Sequence, residues 1–210
     1  MTVGDRAQLD EALAIATSVL EESARAVTRV CAQPGELDRA LELLLATRGR
    51  VVFTGLGKSG LIAGKLAATF ASTGTPAQFV HAADAFHGDA GMVVGDDVLV
   101  ALSKSGTTVE VVEFARLIKG RGIPVLAITG CGGNSPLCAL ADASLDACVE
   151  RECDPWDLVP SASTTVSLVV GDALAIALMV ARGFGPDQFY AHHPGGALGA
   201  RLGAGLGGRS

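Results

Sequence analysis

The sequence has no excess of basic residues. Lysine and arginine together number 16, against 22 aspartates and glutamates, and the formal net charge is -6. Nucleic-acid-binding domains usually present a basic face, so this balance argues against a nucleic-acid partner. It leaves room for a small anionic ligand, because a local site can be positive on an acidic protein.

Paired cysteines are also missing. The chain has 5 cysteines, an odd number, and no Cys-x-x-Cys motif. A disulfide framework and a structural zinc site are therefore both disfavoured. Reduced thiols of this kind are typical of a cytoplasmic protein, and that is the compartment we expect.

Long hydrophobic runs are scarce as well. The N-terminus carries Asp5 early and lacks a long apolar region, so we expect no signal peptide. The longest apolar stretch, residues 166–181, contains Asp172 and is short for a membrane span. We expect a buried helix there, in which Asp172 needs a buried partner, and no association with a membrane.

Apolar residues themselves are abundant, at 49% of 210 residues, and only 18% of the chain is charged. This length and composition suit one α/β domain over residues 1–210. We expect a helical N-terminal extension over about 6–48 and an α/β core over about 50–200. The Gly-rich tail, 203–210, is predicted to be mobile.

Short apolar runs alternate with helix-like segments through the core. This alternation predicts a five-stranded parallel sheet covered on both faces, which is a three-layer αβα sandwich. Helical periodicity predicts helices over 6–32 and 36–47 in the extension. The predicted strands are 50–55, 77–81, 96–103, 123–130 and 144–149, and the predicted core helices are 61–73, 83–87, 109–119, 134–142 (capped by Asn134) and 163–182.

Two loops at predicted strand ends are rich in glycine and hydroxyl groups: Gly55–Gly60 (GLGKSG) and Ser103–Thr108 (SKSGTT). Ligands of open parallel sheets bind beyond the carboxyl ends of the strands. Hydroxyls and free N–H groups at a helix N-terminus bind anions, and Gly106 lets the backbone turn towards the ligand. The alternative is that Thr107 or Thr108 merely caps the helix.

The GLGKSG loop does not fit the common nucleotide motifs. A Walker A motif needs a glycine five residues before Gly57, where this sequence has Val52. The spacing of Gly55, Gly57 and Gly60 matches GxGxxG, but residues 77–79 supply no acid for a dinucleotide ribose. A dinucleotide site is therefore disfavoured.

Several stretches together resemble a known family. The paired loops GLGKSG and SKSGTT are similar to those of sugar isomerase (SIS) domains. Residues 68–93, 160–184 and 193–202 (HPGGALGARL) resemble bacterial arabinose-5-phosphate isomerases. The resemblance covers roughly 40–202 and implies interconversion of D-ribulose 5-phosphate and D-arabinose 5-phosphate for Kdo synthesis. It also implies a cofactor-free homotetramer with shared active sites, here in a short form without CBS domains.

The resemblance places the substrate phosphate on the Ser103–Thr108 loop. Lys58 lies where a cation stabilises an enediolate or binds a substrate oxygen, the alternative being a solvated loop lysine. Lys104 either adds charge to the phosphate pocket or points to solvent. The implied substrate-binding residues are Gly57, Ser59, His87, Ser103, Ser105, Gly106, Thr107 and Thr108.

The implied catalytic residues are Lys58, Glu110, Glu152 and His193. We favour Glu152 over Glu150 as the base that moves the proton, with Glu110 in support. The non-functional alternative for Glu110 is a surface acid favoured by the helix dipole. The non-functional alternative for Glu152 is a solvated loop acid. His193 is expected to open the sugar ring or shuttle the C1–C2 proton, and to reach the site of a neighbouring subunit.

Two further hypotheses stay open at this point. His87, Asp89 and His193 have the chemistry to meet a metal, although the resemblance implies no functional metal. A non-catalytic sugar-phosphate sensor needs the phosphate loop but not the acid–base set, and a related isomerase would act on another ketose phosphate.

Overall fold

The computed structural model describes residues 3–32, 35–130, 133–193 and 195. The tail 203–210 and most of the HPGGALGARL stretch lie outside these residues. The helices are α1 Val3–Ala32, α2 Leu37–Ala46, α3 Gly57–Ser72, α4 Val109–Gly120, α5 Pro136–Leu140, α6 Ala162–Ala181 and α7 Pro186–His192. The strands are β1 Val51–Thr54, β2 Ala77–Phe79, β3 Val98–Ser103, β4 Val125–Thr129 and β5 Ala143–Asp146, and two 3-10 turns cover Asp84–His87 and Asp89–Met92.

The five strands form one parallel sheet in the order β2-β1-β3-β4-β5. The predicted parallel sheet, its strand count and the long N-terminal helix are thereby confirmed. Alternate residues of β3 enter two separate cores: Val98, Val100 and Leu102 face one side, and Leu99 and Ala101 face the other. Because both faces are covered, β1, β3 and β4 are buried at every position, which explains their uninterrupted apolar runs.

The helices divide between these two cores. Side chains of α2, α3 and α6 enter the first core, and side chains of α4 and α5 enter the second. The chain therefore leaves β1 through α3 on one face and leaves β3 through α4 on the other. Since β1 and β3 are neighbours, their carboxyl ends bound a crevice at a topological switch point, the place where α/β sheets bind ligands.

Helix α6 alone among the described helices is long and apolar enough to cross a membrane, judged by length and composition. A core helix of a globular domain passes the same test. In this fold α6 packs against α1, α2 and α3, and Val166, Leu174 and Leu178 are buried in the first core. The expected partner of Asp172 is Lys65 of α3, at 2.5 Å from both carboxylate oxygens, but the pair is part-exposed rather than buried.

One local expectation was wrong, and one helix was missed. Helix α5 is capped by Ser135, not Asn134: the Ser135 hydroxyl accepts a hydrogen bond from the Cys138 N–H, and Pro136 occupies the first helical position. Helix α7 was not predicted at all. It begins at Pro186, and the Gln188 side chain accepts a hydrogen bond from the Gly185 N–H at 2.6 Å.

Candidate functional site

The loop Ser103–Thr108, here called the anion-binding loop, joins β3 to α4 at the switch point. The Ser103 hydroxyl accepts the Gly106 N–H at 3.1 Å and lies 3.0 Å from the Thr108 hydroxyl. The Ser105 hydroxyl accepts the Thr107 N–H at 3.2 Å. These bonds hold the loop in one shape before any ligand arrives, so an anion would not have to order it.

Gly106 is the residue that this shape requires. Its φ of +64° is a left-handed conformation that side-chain-bearing residues rarely adopt. A Cβ atom there would lie 2.2 Å from the Ser135 hydroxyl oxygen. The Leu137 N–H donates to the Gly106 carbonyl at 3.1 Å, and the Gly130 N–H donates to the Lys104 carbonyl at 3.0 Å. The loop therefore sits directly on the connection between β4 and α5.

A cavity of about 160 Å³ opens between this loop, the start of α3 and the start of α6. It brings Lys58 and Ser59 of the first glycine-rich loop together with Lys104 of the second. Two ammonium groups and several hydroxyls in one small cavity favour a phosphorylated ligand. The lining residues are Leu56, Lys58, Ser59, Ile62, Lys104, Pro160, Ser163, Thr164 and Ser167.

Glu152 lies behind this cavity and is buried, with a residue exposure of 1%. One carboxylate oxygen, Oε2, accepts the Ser161 N–H at 2.8 Å and the Ser163 N–H at 3.2 Å. The other, Oε1, accepts the Ser163 hydroxyl and lies 2.7 Å from Lys104 Nζ. Glu150, the alternative, is exposed and pairs with Arg29 at 2.9 Å. The solvated-loop interpretation of Glu152 is therefore wrong.

Competing effects act on the pKa of Glu152. Burial raises it, but the ion pair with Lys104 and the hydrogen bonds from Ser163 and Ser161 outweigh burial and lower the pKa from 4.5 to about 2. The carboxylate is thus ionised at neutral pH. With all these donors in place it is also a weak base, because proton affinity falls with pKa.

The segment that carries Glu152 is held by its own side chains. The Glu152 N–H donates to Asp157 Oδ1 at 2.6 Å, and Asp157 has a positive φ of 59°. The Asp154 carboxylate accepts the N–H groups of Trp156, Leu158 and Val159. The segment forms no strand or helix, but these hydrogen bonds hold its backbone in place. It therefore fixes Glu152 at the start of α6.

Lys104 was predicted either to add charge to the phosphate pocket or to point to solvent, and its position combines the two. It lines the cavity and is half exposed, yet its ammonium group pairs with Glu152. Ser161 and Ser163, which bind Glu152, are not among the predicted catalytic or substrate-binding residues. The sequence contained a signal for this contact, because both serines stand at the start of the predicted long helix, where free N–H groups bind a carboxylate.

Most predicted residues do not line this cavity. Only Lys104 of the anion-binding loop lines it, and the other predicted substrate-binding residues of the two loops do not: Gly57, Ser103, Ser105, Gly106, Thr107 and Thr108. Three predicted residues outside the loops are also absent from the lining. Glu110 is exposed in the first turn of α4, and His87 is exposed at the end of a 3-10 turn. His193 follows α7, stacks on Phe189 with ring centroids 4.2 Å apart, and places Nδ1 3.1 Å from the Phe189 carbonyl. Within the described ranges, none of these three lines the cavity.

The three residues hypothesised to bind a metal do not form a metal site in this structure. Among the residues that the structure describes, no group of three or more His, Cys, Asp or Glu side chains is placed to hold a metal ion. His87, Asp89 and His193 therefore do not meet within this chain.

Similarity to known proteins agrees with the fold. Residues 44–177 match the model of the SIS domain. The chain belongs to the SIS domain family. This SIS domain is 57% identical over 164 residues to arabinose 5-phosphate isomerase KdsD of Pseudomonas aeruginosa, covering 78% of the chain and 50% of the relative. It is 45% identical over 168 residues to arabinose 5-phosphate isomerase KpsF of Escherichia coli, covering 80% and 53%.

A solved structure extends the likeness to three dimensions. The E. coli CFT073 protein c3406, in complex with arabinose 5-phosphate, superposes with a TM-score of 0.82 at 40% identity. The match covers 92% of this chain and 100% of that chain. The curated relatives are longer: the chain spans about half of their length.

Proposed function

We propose that this SIS domain interconverts D-ribulose 5-phosphate and D-arabinose 5-phosphate. The observation that carries the proposal is the cavity in which Lys58 and Lys104 meet hydroxyl groups, with the ionised Glu152 directly behind them. Aldose–ketose isomerisation needs an anion site for the phosphate, a group that moves a proton, and a cation for the enediolate. Similarity to arabinose 5-phosphate isomerases, and to a protein in complex with arabinose 5-phosphate, supports this substrate pair.

In the proposed reaction the phosphate rests on the anion-binding loop and Ser59. Glu152 takes the proton from one of the carbons C1 and C2 and returns it to the other, while Lys58 stabilises the enediolate oxygen. Glu110 supports the proton transfer, His87 binds substrate, and His193 opens the sugar ring. This chemistry requires no cofactor, and the product would supply Kdo-type sugar synthesis in the cytoplasm.

The proposed assembly is a homotetramer with shared active sites. Large apolar side chains are exposed on two helices that pack together: Leu13 and Leu20 on α1, and Ile176 and Val180 on α6. An apolar groove of about 220 Å³ lies where α1, α2 and α6 meet. Burial of such surfaces against further copies favours association. His193, which does not line the cavity of its own chain, would then serve a neighbouring one.

The test is conversion of D-ribulose 5-phosphate in deuterated water, followed by NMR. The wild-type protein should form arabinose 5-phosphate carrying deuterium at C2, to the extent that the base exchanges its proton with solvent. Glu152→Gln should abolish turnover, whereas Glu150→Gln, two residues away and exposed, should not. Binding of ribulose 5-phosphate without turnover by the wild type would instead favour a sensor, and turnover of a different ketose phosphate would change the substrate.

A further inference from the structure

The two carboxylate oxygens of Glu152 are held by different kinds of donor. Oε2 accepts two backbone N–H groups, from Ser161 and Ser163 at 2.8 and 3.2 Å, and lies 3.3 Å from the Ser161 hydroxyl. Oε1 meets only side chains, the Ser163 hydroxyl and the Lys104 ammonium group. The start of α6 therefore fixes Oε2, while side-chain rotation alone is enough to uncover Oε1.

The side chains that cover Oε1 are also the ones that line the cavity. Lys104 and Ser163 belong to the lining, and Lys104 is 49% exposed. The Glu152 side chain is 0% exposed. A sugar phosphate that enters the cavity thus meets Lys104 first, and it reaches Oε1 only when the ammonium group moves aside.

The backbone of Lys104 is part of the anion-binding loop and is anchored, since its carbonyl accepts the Gly130 N–H at 3.0 Å. Only the flexible four-carbon side chain is free to reorient. A phosphate dianion on the loop carries more charge than the single carboxylate and offers three acceptor oxygens. It would therefore compete with Glu152 for the same ammonium group.

We propose that Lys104 is a positioning residue that exchanges partners, holding Glu152 Oε1 in the empty site and turning to the substrate phosphate when a sugar phosphate binds. This inference rests on the proposed function and assigns Lys104 a part in it. The uncovered Oε1 accepts the proton from the substrate carbon, and the electron pair of the broken C–H bond stays on the sugar as the enediolate. Glu152 then returns a proton to the neighbouring carbon, and the hydroxyl proton passes from the O1 oxygen to the O2 oxygen, which leaves the carbonyl at C1. Lys104 pairs with Glu152 again when the product leaves.

The first experiment measures binding of inorganic phosphate to the purified full chain by calorimetry. Lys104→Met should weaken binding about tenfold, the effect of one charge-assisted hydrogen bond. Glu152→Gln should tighten binding about tenfold by releasing Lys104, but should change it little in the Lys104→Met background. Lys104→Arg, which keeps the cation, should retain most of the affinity. Lys119→Met removes a comparable ion pair with Asp142 and should leave phosphate binding unchanged.

Two results would overturn the partner exchange. One is an equal gain in phosphate affinity from Glu152→Gln in the wild-type and Lys104→Met backgrounds. The gain would then come from the loss of the negative charge alone, and not from the release of Lys104. The other is unchanged phosphate affinity in Lys104→Met. If Glu152→Gln fails to fold, the comparison of Lys104→Met with Lys104→Arg still decides the second point.

Kinetic constants provide a second test, because they would not change in this way if Lys104 had only a structural role. Lys104→Met should raise the KM for ribulose 5-phosphate about tenfold while kcat keeps its wild-type order, since no ammonium group then has to leave Oε1. A collapse of kcat at unchanged KM would contradict the proposal. Absence of turnover by the wild type would refute the isomerase function, while the phosphate-binding cycle would still report on the exchange.

Discussion

Gly106 and Ser135 approach each other so closely that a Cβ atom on Gly106 would stand 2.2 Å from the Ser135 hydroxyl oxygen. The contact joins the anion-binding loop to the cap of α5, because the same hydroxyl accepts the Cys138 N–H. The shape of the loop thus depends on the neighbouring strand connection as well as on its own sequence.

Gly106→Ala should therefore destabilise the protein and weaken phosphate binding. The left-handed φ and the steric clash together should cost about 2–4 kcal/mol of unfolding free energy. Gly57→Ala is the matched control, because Gly57 has a similar φ of +57° but nothing within 4 Å of its Cβ position. It should cost only about 1 kcal/mol. Urea unfolding measures both values, and equal losses would show that the contact with Ser135 is unimportant.

Glu152 should make the stability of the protein depend on acid pH. Its pKa is lowered from 4.5 to about 2 in the folded state, so its stabilisation is fully present above pH 4.5 and is lost as the pH falls towards 2. The full contribution is about 3 kcal/mol, of which about 2 kcal/mol should be lost by pH 3.

The comparison of Glu152→Gln with wild type tests this directly. The variant should be less stable at pH 7, and the difference should shrink when urea unfolding is repeated at pH 3. Glu150→Gln, at an exposed position, controls for the general effect of removing one acid. A stability difference that stays constant between pH 7 and pH 3 would contradict the low pKa.

The elements of the fold that could be predicted are those that local sequence patterns determine. Apolar runs such as 98–102 predicted buried parallel strands, because both faces of each strand are covered. Glycine and hydroxyl residues after two of these strands predicted an anion site, and Lys58, Ser59 and Lys104 of these two loops line one cavity. Helix α7 was missed although Pro186 at its first position was a readable start signal. The α5 cap was misplaced by one residue for a similar reason, since Pro136 marks Ser135 as the cap.

The contacts of Lys104 and Glu152 could not be predicted in the same way. One lies after β3 and the other after β5, so their meeting depends on how the sheet and the start of α6 are arranged. Asp172 illustrates the same limit: its position amid apolar residues signalled a partner, but only the packing of α3 on α6 identifies Lys65.

That packing leads to a further prediction. Gly171 in α6 lies against Leu66 of α3, and a Cβ atom there would be 2.4 Å from Leu66 Cδ1. Gly171→Ala should destabilise by about 1–2 kcal/mol, because overpacking outweighs the gain in helix propensity. Gly64→Ala in α3, whose Cβ would make only an ordinary 3.9 Å contact with Phe79, should stabilise by about 0.5–1 kcal/mol. Thermal unfolding distinguishes the opposite signs.

The position of His193 allows a test of shared active sites. His193 packs on Phe189 and lies outside the cavity that Lys58 lines. If it serves a neighbouring subunit, His193→Ala and Glu152→Gln chains, each inactive alone, should complement each other after they are unfolded, mixed and refolded together. A site that combines an intact cavity with an intact His193 forms at random in about a quarter of cases, and activity should recover to about that fraction.

A second mixture serves as the control. Lys58 lines the cavity and Glu152 lies directly behind it in the same chain, so mixing Lys58→Ala with Glu152→Gln cannot produce an intact cavity. That mixture should remain inactive. Recovery in the first mixture alone would establish that His193 acts across a subunit interface. Recovery in neither would mean that His193 acts within its own chain, and α7 would then have to move towards the cavity when substrate binds.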